Sequence, residues 1–278
     1  MQKFKIVADS SADLSEFNDF PFSSAPLKII TDEKEYRDDK NLNIETMVNE
    51  LSKYKGRSST SCPNPEDWLR AFGDAENIFC LPITKTLSGS YNSANIAKNL
   101  YEEMYPERKV YVFDTLTTGP ELKLMIEKIF DLISKGKEFS EICQETEEYN
   151  KKTGLLFILK SMRNLVNNGR ISPLAAKAAG LLGIQAIGKA SDQGDLQPLD
   201  KVRGEEKTLD TVILRMKEMG FKKGKVRITH CLNLNAATLL AEKLKKEFEN
   251  SKIEIYKCGA LCSFYAEKGG MIIGFEKF

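Results

Sequence analysis

The stretch that decides the fold is Ile78-Phe79-Cys80-Leu81-Pro82-Ile83, which empties into Thr84-Lys85-Thr86-Leu87-Ser88-Gly89-Ser90-Tyr91-Asn92-Ser93-Ala94. A short unbroken apolar run suits a strand buried on both faces, as in a parallel sheet covered by helices. Ile96, Ala97, Leu100 and Met104 then recur at helical spacing, so the whole segment reads as strand, hydroxyl-rich loop and helix. Ser88 or Ser90 stands near the helix N-cap, where unpaired backbone N–H groups and the positive end of the dipole favour an anion. Ligands of open α/β sheets bind at the carboxyl ends of the strands, so this loop reads as a head-group pocket.

Working outward, other segments end the same way. Lys5 to Ala8 reads as a first strand that runs into Asp9-Ser10-Ser11-Ala12-Asp13-Leu14, an acid and two hydroxyls that equally suit a helix cap. Pro26 to Ile30 reads as a second strand, followed by a charged turn from Thr31 to Asp39 and a helix through Ile44, Met47 and Leu51. Ser58-Ser59-Thr60-Ser61-Cys62-Pro63 is a second hydroxyl cluster ahead of a helix, with Asn64 as N-cap and Pro65 at the first helical position. Lys109 to Phe113 is a further strand that ends in Asp114-Thr115-Leu116-Thr117-Thr118-Gly119. Strands alternating with helices in this way predict a doubly wound parallel sheet with helices on both faces, over residues 1–152.

A polar break at Asn150-Lys151-Lys152-Thr153-Gly154 predicts the boundary to a second domain, 153–278. There the chain offers the apolar run Leu155 to Leu159, a helix from Met162, the turn Asn167-Asn168-Gly169-Arg170 and a segment rich in small and branched residues from Leu174 to Ile187. A hairpin is expected around Gln193-Gly194-Asp195, helices near 205–219 and 235–249, and strands near 226–229, 253–257 and 271–275. This half reads as a mixed α+β sheet domain. The fold class is therefore α/β with two domains, and 278 residues at 41% hydrophobic suffice for two cores.

Charge narrows the function classes. Lys plus Arg number 41 against 40 for Asp plus Glu, so no global field points to nucleic acid or an anionic membrane. The apolar run at Ile6-Val7-Ala8 is too short for a secretory signal, and no run approaches a membrane span. A cytoplasmic protein is expected, with its six cysteines reduced. There is no Gly-x-Gly-x-x-Gly and no P-loop, so an intrinsic nucleotide site is not expected. His230, Cys231, Cys258 and Cys262 are a conceivable zinc set, but adjacent residues on a strand point to opposite faces, and no metal is expected. Ser88 or Cys62 could serve a hydrolase or transferase as nucleophile; the single histidine is remote and no activating base can be named.

Five motifs in register carry a family resemblance: Ala8-Asp9-Ser10-Ser11-Ala12-Asp13-Leu14, Thr60 to Pro65, Leu87 to Ala94, Asn168-Gly169-Arg170-Ile171 and Asp200-Lys201-Val202-Arg203-Gly204. Over nearly its whole length the chain resembles the DegV family. The resemblance implies a bacterial protein that holds a long-chain fatty acid in a buried tunnel between two α/β domains. It further implies that the carboxylate is offered to a separate ATP-dependent fatty-acid kinase subunit, giving acyl phosphate for lipid synthesis, and that the chain is not itself a catalyst. By the same resemblance Thr60 and Ser88 supply head-group hydroxyls, with Ser61, Gly89 and Ser90 alongside, and Arg170 supplies a planar, permanently charged fork. Ala175, Ala176, Ala178, Ala179, Gly180 and Gly183 would leave room for the alkyl chain, although close helix packing explains them equally well. Arg203 reads as structural.

Where family members usually carry a histidine shortly before Gly-Pro-Gly, this chain has Ser263-Phe264-Tyr265-Ala266-Glu267-Lys268-Gly269-Gly270, so Tyr265 or Ser263 is expected to substitute. Asn168, Gln185-Ala186 and Cys62 also depart from the usual residues. These departures bear on acyl phosphorylation more than on lipid binding, and another amphipathic anion remains an alternative ligand. A fully buried 16-carbon chain would contribute on the order of 11 kcal/mol gross, at ~0.8 kcal/mol per methylene. A charge-assisted head-group bond adds ~1.5–3 kcal/mol, so the polar cluster mainly sets orientation.

Overall fold

The computed structural model describes residues 3–173 and 183–278. The small-residue segment Ala175, Ala176, Ala178, Ala179 and Gly180 lies outside the described residues. Four strands, β1 (Phe4–Asp9), β2 (Phe22–Ala25), β6 (Asn77–Leu81) and β7 (Lys109–Val112), form a parallel sheet in the order β2-β1-β6-β7. The apolar run at Ile78 to Leu81 behaves as its composition requires. Phe79 and Leu81 join Ile6 and Ala8 in one core, whereas Ile78 and Cys80 join Val7 in another. Helices α4 (Gly119–Ser134) and α5 (Phe139–Asn150) close the first face, and α2 (Pro65–Phe72) and α3 (Ser90–Met104) the second.

Four local expectations are corrected. The second strand of the parallel sheet is β2, which ends at Ala25 before the expected Pro26 to Ile30; that segment instead enters β3 (Lys28–Thr31), which belongs to a separate antiparallel sheet, β4-β3-β5. Pro26 lacks the N–H needed to continue a ladder, so the chain leaves one sheet there and starts another. The charged turn contains a short strand, β4 (Glu35–Arg37), and the hydroxyl cluster is itself a strand, β5 (Ser58–Ser61), paired with β3. In α3 the residues that set the helical spacing mostly face outward: Ile96, Leu100 and Met104 are 43%, 42% and 55% exposed. The buried face is Ser90, Ser93, Ala94, Ala97 and Tyr101, because small side chains let the helix lie close to the sheet.

The larger sheet has six strands in the order β10-β9-β8-β13-β11-β12 and mixes parallel with antiparallel pairs. Its strands are β8 (Thr153–Leu159), β9 (Ile184–Ala190), β10 (Leu196–Arg203), β11 (Gly224–His230), β12 (Ser251–Lys257) and β13 (Met271–Glu276). β9 and β10 form the hairpin expected around Gly194. On one face Leu156, Ile158, Val226 and Ile228 pack against α7 (Glu205–Glu218) and α8 (Leu234–Glu247). The opposite face presents Leu155, Phe157, Leu159 and Ile272, and α9 (Ala260–Ala266) adds Phe264 to the same core. Helix α4 joins the two sheets: it packs on β13 and β11, and its Glu127 receives both Nε and Nη2 of Arg227 at 2.6 and 2.7 Å. No helix among the described residues is long and apolar enough to cross a membrane.

Candidate functional site

In the parallel sheet the chain runs from β1 to β2 on one side and returns to β6 on the other, so the carboxyl ends of β1 and β6 flank the reversal of strand order. Asp9, the last residue of β1, is fully buried there and accepts four hydrogen bonds. Two come from the backbone N–H and hydroxyl of Ser11 (3.2 and 2.5 Å), one from the Ile83 N–H (2.9 Å) and one from the Ser90 hydroxyl (2.6 Å). Burial pushes the Asp9 carboxyl up, and these four donors oppose the shift. Ile83 and Ser90 bracket the Thr84–Gly89 loop, so one carboxylate pins both ends of it. The middle is fixed by Thr86, whose Oγ1 donates to the Gly194 carbonyl at 2.7 Å, at the tip of the β9–β10 hairpin.

This loop delivers Ser88 and Gly89 to a cavity of about 290 Å³ that lies between the two sheets. Gly89 is the residue before α3, and the Ser88 hydroxyl oxygen accepts the Ser90 N–H at 3.2 Å. A side chain at Gly89 would meet Cys62 Sγ at 3.3 Å, so glycine permits the approach of β5 to the loop. β5 brings Thr60 and Ser61, with Cys62 following. Thr60 Oγ1 and Tyr265 Oη are 2.7 Å apart and share a hydrogen bond. Burial pushes the Tyr265 phenol up, while the Thr60 bond and the Arg170 charge draw it back. Arg170 follows α6 (Arg163–Asn167) and the left-handed Gly169; its Nε donates to the Leu87 carbonyl at 3.1 Å and its Nη1 to the Asn168 carbonyl at 2.6 Å. These two bonds orient the guanidinium plane beside Ser88.

Tyr265 is positioned in turn by two acids. The amides of Ala260 and Leu261, at the start of α9, donate to Asp38 Oδ1 and Oδ2 at 2.9 Å each, and the Gly259 amide donates to Asp13 Oδ1 at 2.7 Å. Burial raises Asp38 to about 6 and Asp13 to about 8, against the relief these amides give. Neither acid, nor Asp9, was recognisable as part of the site beyond the acid and hydroxyls that end the first strand. Thr118, which also lines the cavity, was signalled only by the hydroxyl run after β7.

Of the residues expected at the head group, Thr60, Ser61, Ser88, Gly89, Arg170 and Tyr265 line this one cavity. Ser90 and Ser263 do not. Ser90 is fully buried beneath the loop on Asp9, and Ser263 faces the Cys258 carbonyl, to which its hydroxyl donates at 3.4 Å. Of the two residues expected to substitute for the family histidine, Tyr265 lines the cavity and Ser263 does not. The rest of the lining is apolar and includes Leu155, Phe157, Leu159, Leu165, Leu196 and Ile272. Chemically the cavity offers hydroxyls, a guanidinium and an extensive hydrocarbon wall.

The rival readings find little support. Burial pushes the Cys62 thiol up, the wrong direction for a nucleophile, and Asp9 adds to the shift while Arg170 opposes it. His230 Nδ1 accepts the Asn233 N–H at 3.2 Å, and the Cys231 thiol faces the Ser263 carbonyl at 3.7 Å. Among the described residues no group of three or more His, Cys, Asp or Glu could hold a metal ion.

Comparison with known proteins agrees with this geometry. The family model described as "Uncharacterised protein, DegV family" matches residues 3–277. A DegV domain-containing protein of Streptococcus pneumoniae is 39% identical over 277 residues, covering 98% of this chain and 99% of the relative. The crystal structure of a DegV family protein from Eubacterium eligens loaded with heptadecanoic acid superposes with a TM-score of 0.97 at 41% identity, over 99% of this chain and all of that one. The Streptococcus pneumoniae fatty acid kinase B3 protein loaded with linoleic acid gives a TM-score of 0.97 at 39% identity, over 100% of both chains. With the family model matched across nearly its whole length, the chain belongs to the DegV family.

Proposed function

We propose that this protein carries one long-chain fatty acid in the cavity between its two sheets and presents the carboxylate to a separate ATP-dependent kinase subunit, supplying acyl phosphate for lipid synthesis. The observation that carries the proposal is the make-up of the cavity: Thr60, Ser88, Arg170 and Tyr265 share its lining with a leucine-rich wall. Arg170 meets the carboxylate with a charged fork, and Thr60 and Ser88 donate hydroxyl hydrogens. Tyr265 couples to Thr60, so the head group is held by neutral hydroxyls and one permanent cation. Burial of the methylenes, at ~0.8 kcal/mol each, supplies most of the affinity. Two structural neighbours, loaded with heptadecanoic and linoleic acid, support a ligand of this class.

The division of labour follows from the chemistry. The cavity brings no imidazole to its hydroxyls and thiols, and the motifs of a nucleotide site are missing from the sequence, so phosphoryl transfer falls to a partner. The two units divide at 152/153, where β8 starts the mixed sheet, and the acyl chain lies between them in a cytoplasmic carrier. Mass spectrometry of lipid extracted from the natively purified protein tests the reading, with a denatured and washed sample as control. A stoichiometric fatty acid is expected. An empty protein that also fails to take up added fatty acid would overturn it. Addition of a fatty-acid kinase subunit and ATP to the loaded protein then tests acyl-phosphate formation.

A further inference from the structure

The inner face of the mixed sheet carries one uneven row. Ile272 on β13, Phe157 on β8 and Gly188 on β9 stand side by side in register. A Cβ built on Gly188 would lie 2.2 Å from Cζ and 2.5 Å from Cε2 of Phe157. The aromatic ring therefore occupies the side-chain space that the glycine leaves empty. Phe157 and Ile272 line the cavity and Gly188 does not, because the ring covers it.

The row lies between two others that line the cavity, with Leu159 on one side of Phe157 along β8 and Leu155 on the other. Leu155 lies one row the other way, and Leu196 of β10, opposite Ala190, lines the cavity there as well. An acyl chain that reaches from the Leu159 row to the row of Leu155 and Leu196 must pass Phe157. A ring turned toward the cavity would close the far half; a ring laid over Gly188 keeps it open.

Resting on the fatty-acid reading above, we propose that Phe157 and Gly188 together determine which acyl chains this protein accepts, with the glycine serving as the recess that lets the ring clear the path. Proteins remove or add hydrocarbon selectivity in steps of about tenfold per methylene-sized change in pocket shape. The test is competition: wild type, Phe157→Leu, Gly188→Ala and the double variant are each equilibrated with an equimolar mixture of saturated C12 to C18 acids and a cis-monounsaturated C18 acid. Bound lipid is then quantified by mass spectrometry, with a thermal melt of each variant.

Gly188→Ala is expected to lower the C18-to-C12 ratio about tenfold, as the displaced ring blocks the far half. Phe157→Leu is expected to raise the share of the bent C18 acid several-fold, on the order of the same step. The double variant should return toward wild type, because the ring that alanine displaces is gone. The inference is overturned if Phe157→Leu leaves the profile unchanged, or if the double variant stays as restricted as Gly188→Ala. The latter would trace the effect to the Gln197 carbonyl, 2.8 Å from the same Cβ position. If Gly188→Ala does not fold, the Phe157→Leu profile decides alone. A wild type that binds no acid from the mixture fails the fatty-acid reading itself, a result distinct from a bound but unaltered profile.

Discussion

The two ends of the cavity are built by opposite means. The apolar end is one face of one sheet, where Leu155, Phe157 and Leu159 alternate along β8 and each neighbour follows from strand register. The polar end is assembled from segments remote in sequence: Thr60 from a small antiparallel sheet, Ser88 from a loop after the parallel sheet, Arg170 from a turn and Tyr265 from a late helix. Periodicity places the first set; in the second, buried carboxylates hold the loop of Ser88 and the helix of Tyr265. An end built by register should tolerate conservative change, whereas an end built by a few long-range hydrogen bonds should fail when one acid is lost.

The largest effect is expected from Asp9→Ala, which strips the loop of its anchor. The Ser11 and Ile83 amides would be left buried without an acceptor, at ~1–3 kcal/mol each, so the protein should lose about 2–6 kcal/mol of stability by denaturant unfolding. A loss below about 1 kcal/mol would mean that the loop is held by other contacts and would remove the contrast between the two ends.

Asp13→Asn probes the same contrast through pH. Burial raises the Asp13 carboxyl from 3.8 to about 8, so between these values the native state holds a proton that the unfolded chain has released. Stability from this group is full below about pH 4 and is lost as the pH rises through about 8, at no more than ~1.4 kcal/mol per pH unit. Asp38, raised to about 6, adds a loss that is complete earlier. The amide of Asp13→Asn mimics the neutral acid, so urea unfolding of the variant should show a flatter decline from pH 5 to 8 than the wild type. An unchanged slope would exclude Asp13 as the titrating group.

How much of this was legible depended on distance along the chain. The strand at Ile78, its hydroxyl loop and the following helix are local, and local pattern found them. Thr60 was found as a hydroxyl cluster but not as a strand, because Ser58-Ser59-Thr60-Ser61 has no apolar alternation and pairs on a half-exposed sheet. The burial of Ser90 in place of Ile96 came from the demand of α3 for small residues against the sheet, which overrides hydrophobic periodicity. Asp9 suits a helix cap as well as a strand-end pocket, and it does accept the Ser11 N–H. Its bonds to Ile83 and Ser90, 74 and 81 residues away, depend on tertiary packing that no local pattern encodes.

Arg170→Ala separates binding from folding. It removes a cation from the cavity and a bond to the Leu87 carbonyl, while Asp9 still holds both ends of the loop. Loss of a charge-assisted bond predicts ~1.5–3 kcal/mol, or fatty-acid affinity weaker by about tenfold to a hundredfold, with the fold retained. Unchanged retention by mass spectrometry would take Arg170 out of the head-group site.

The smallest effect belongs to Tyr265→Phe, and it is the most discriminating. The ring and its packing against Phe264 remain, and only the hydroxyl that meets Thr60 at 2.7 Å is removed. If that hydroxyl merely orders Thr60, the loss is one neutral hydrogen bond of ~0.5–1.5 kcal/mol, and affinity falls about twofold to tenfold for every acyl chain alike. Such uniformity is the signature of the polar end, since the hydroxyl cannot sense chain length. If the loss instead varied with chain length or unsaturation, Tyr265 would belong to the apolar wall, and the separation of the two ends would break at the residue that bridges them.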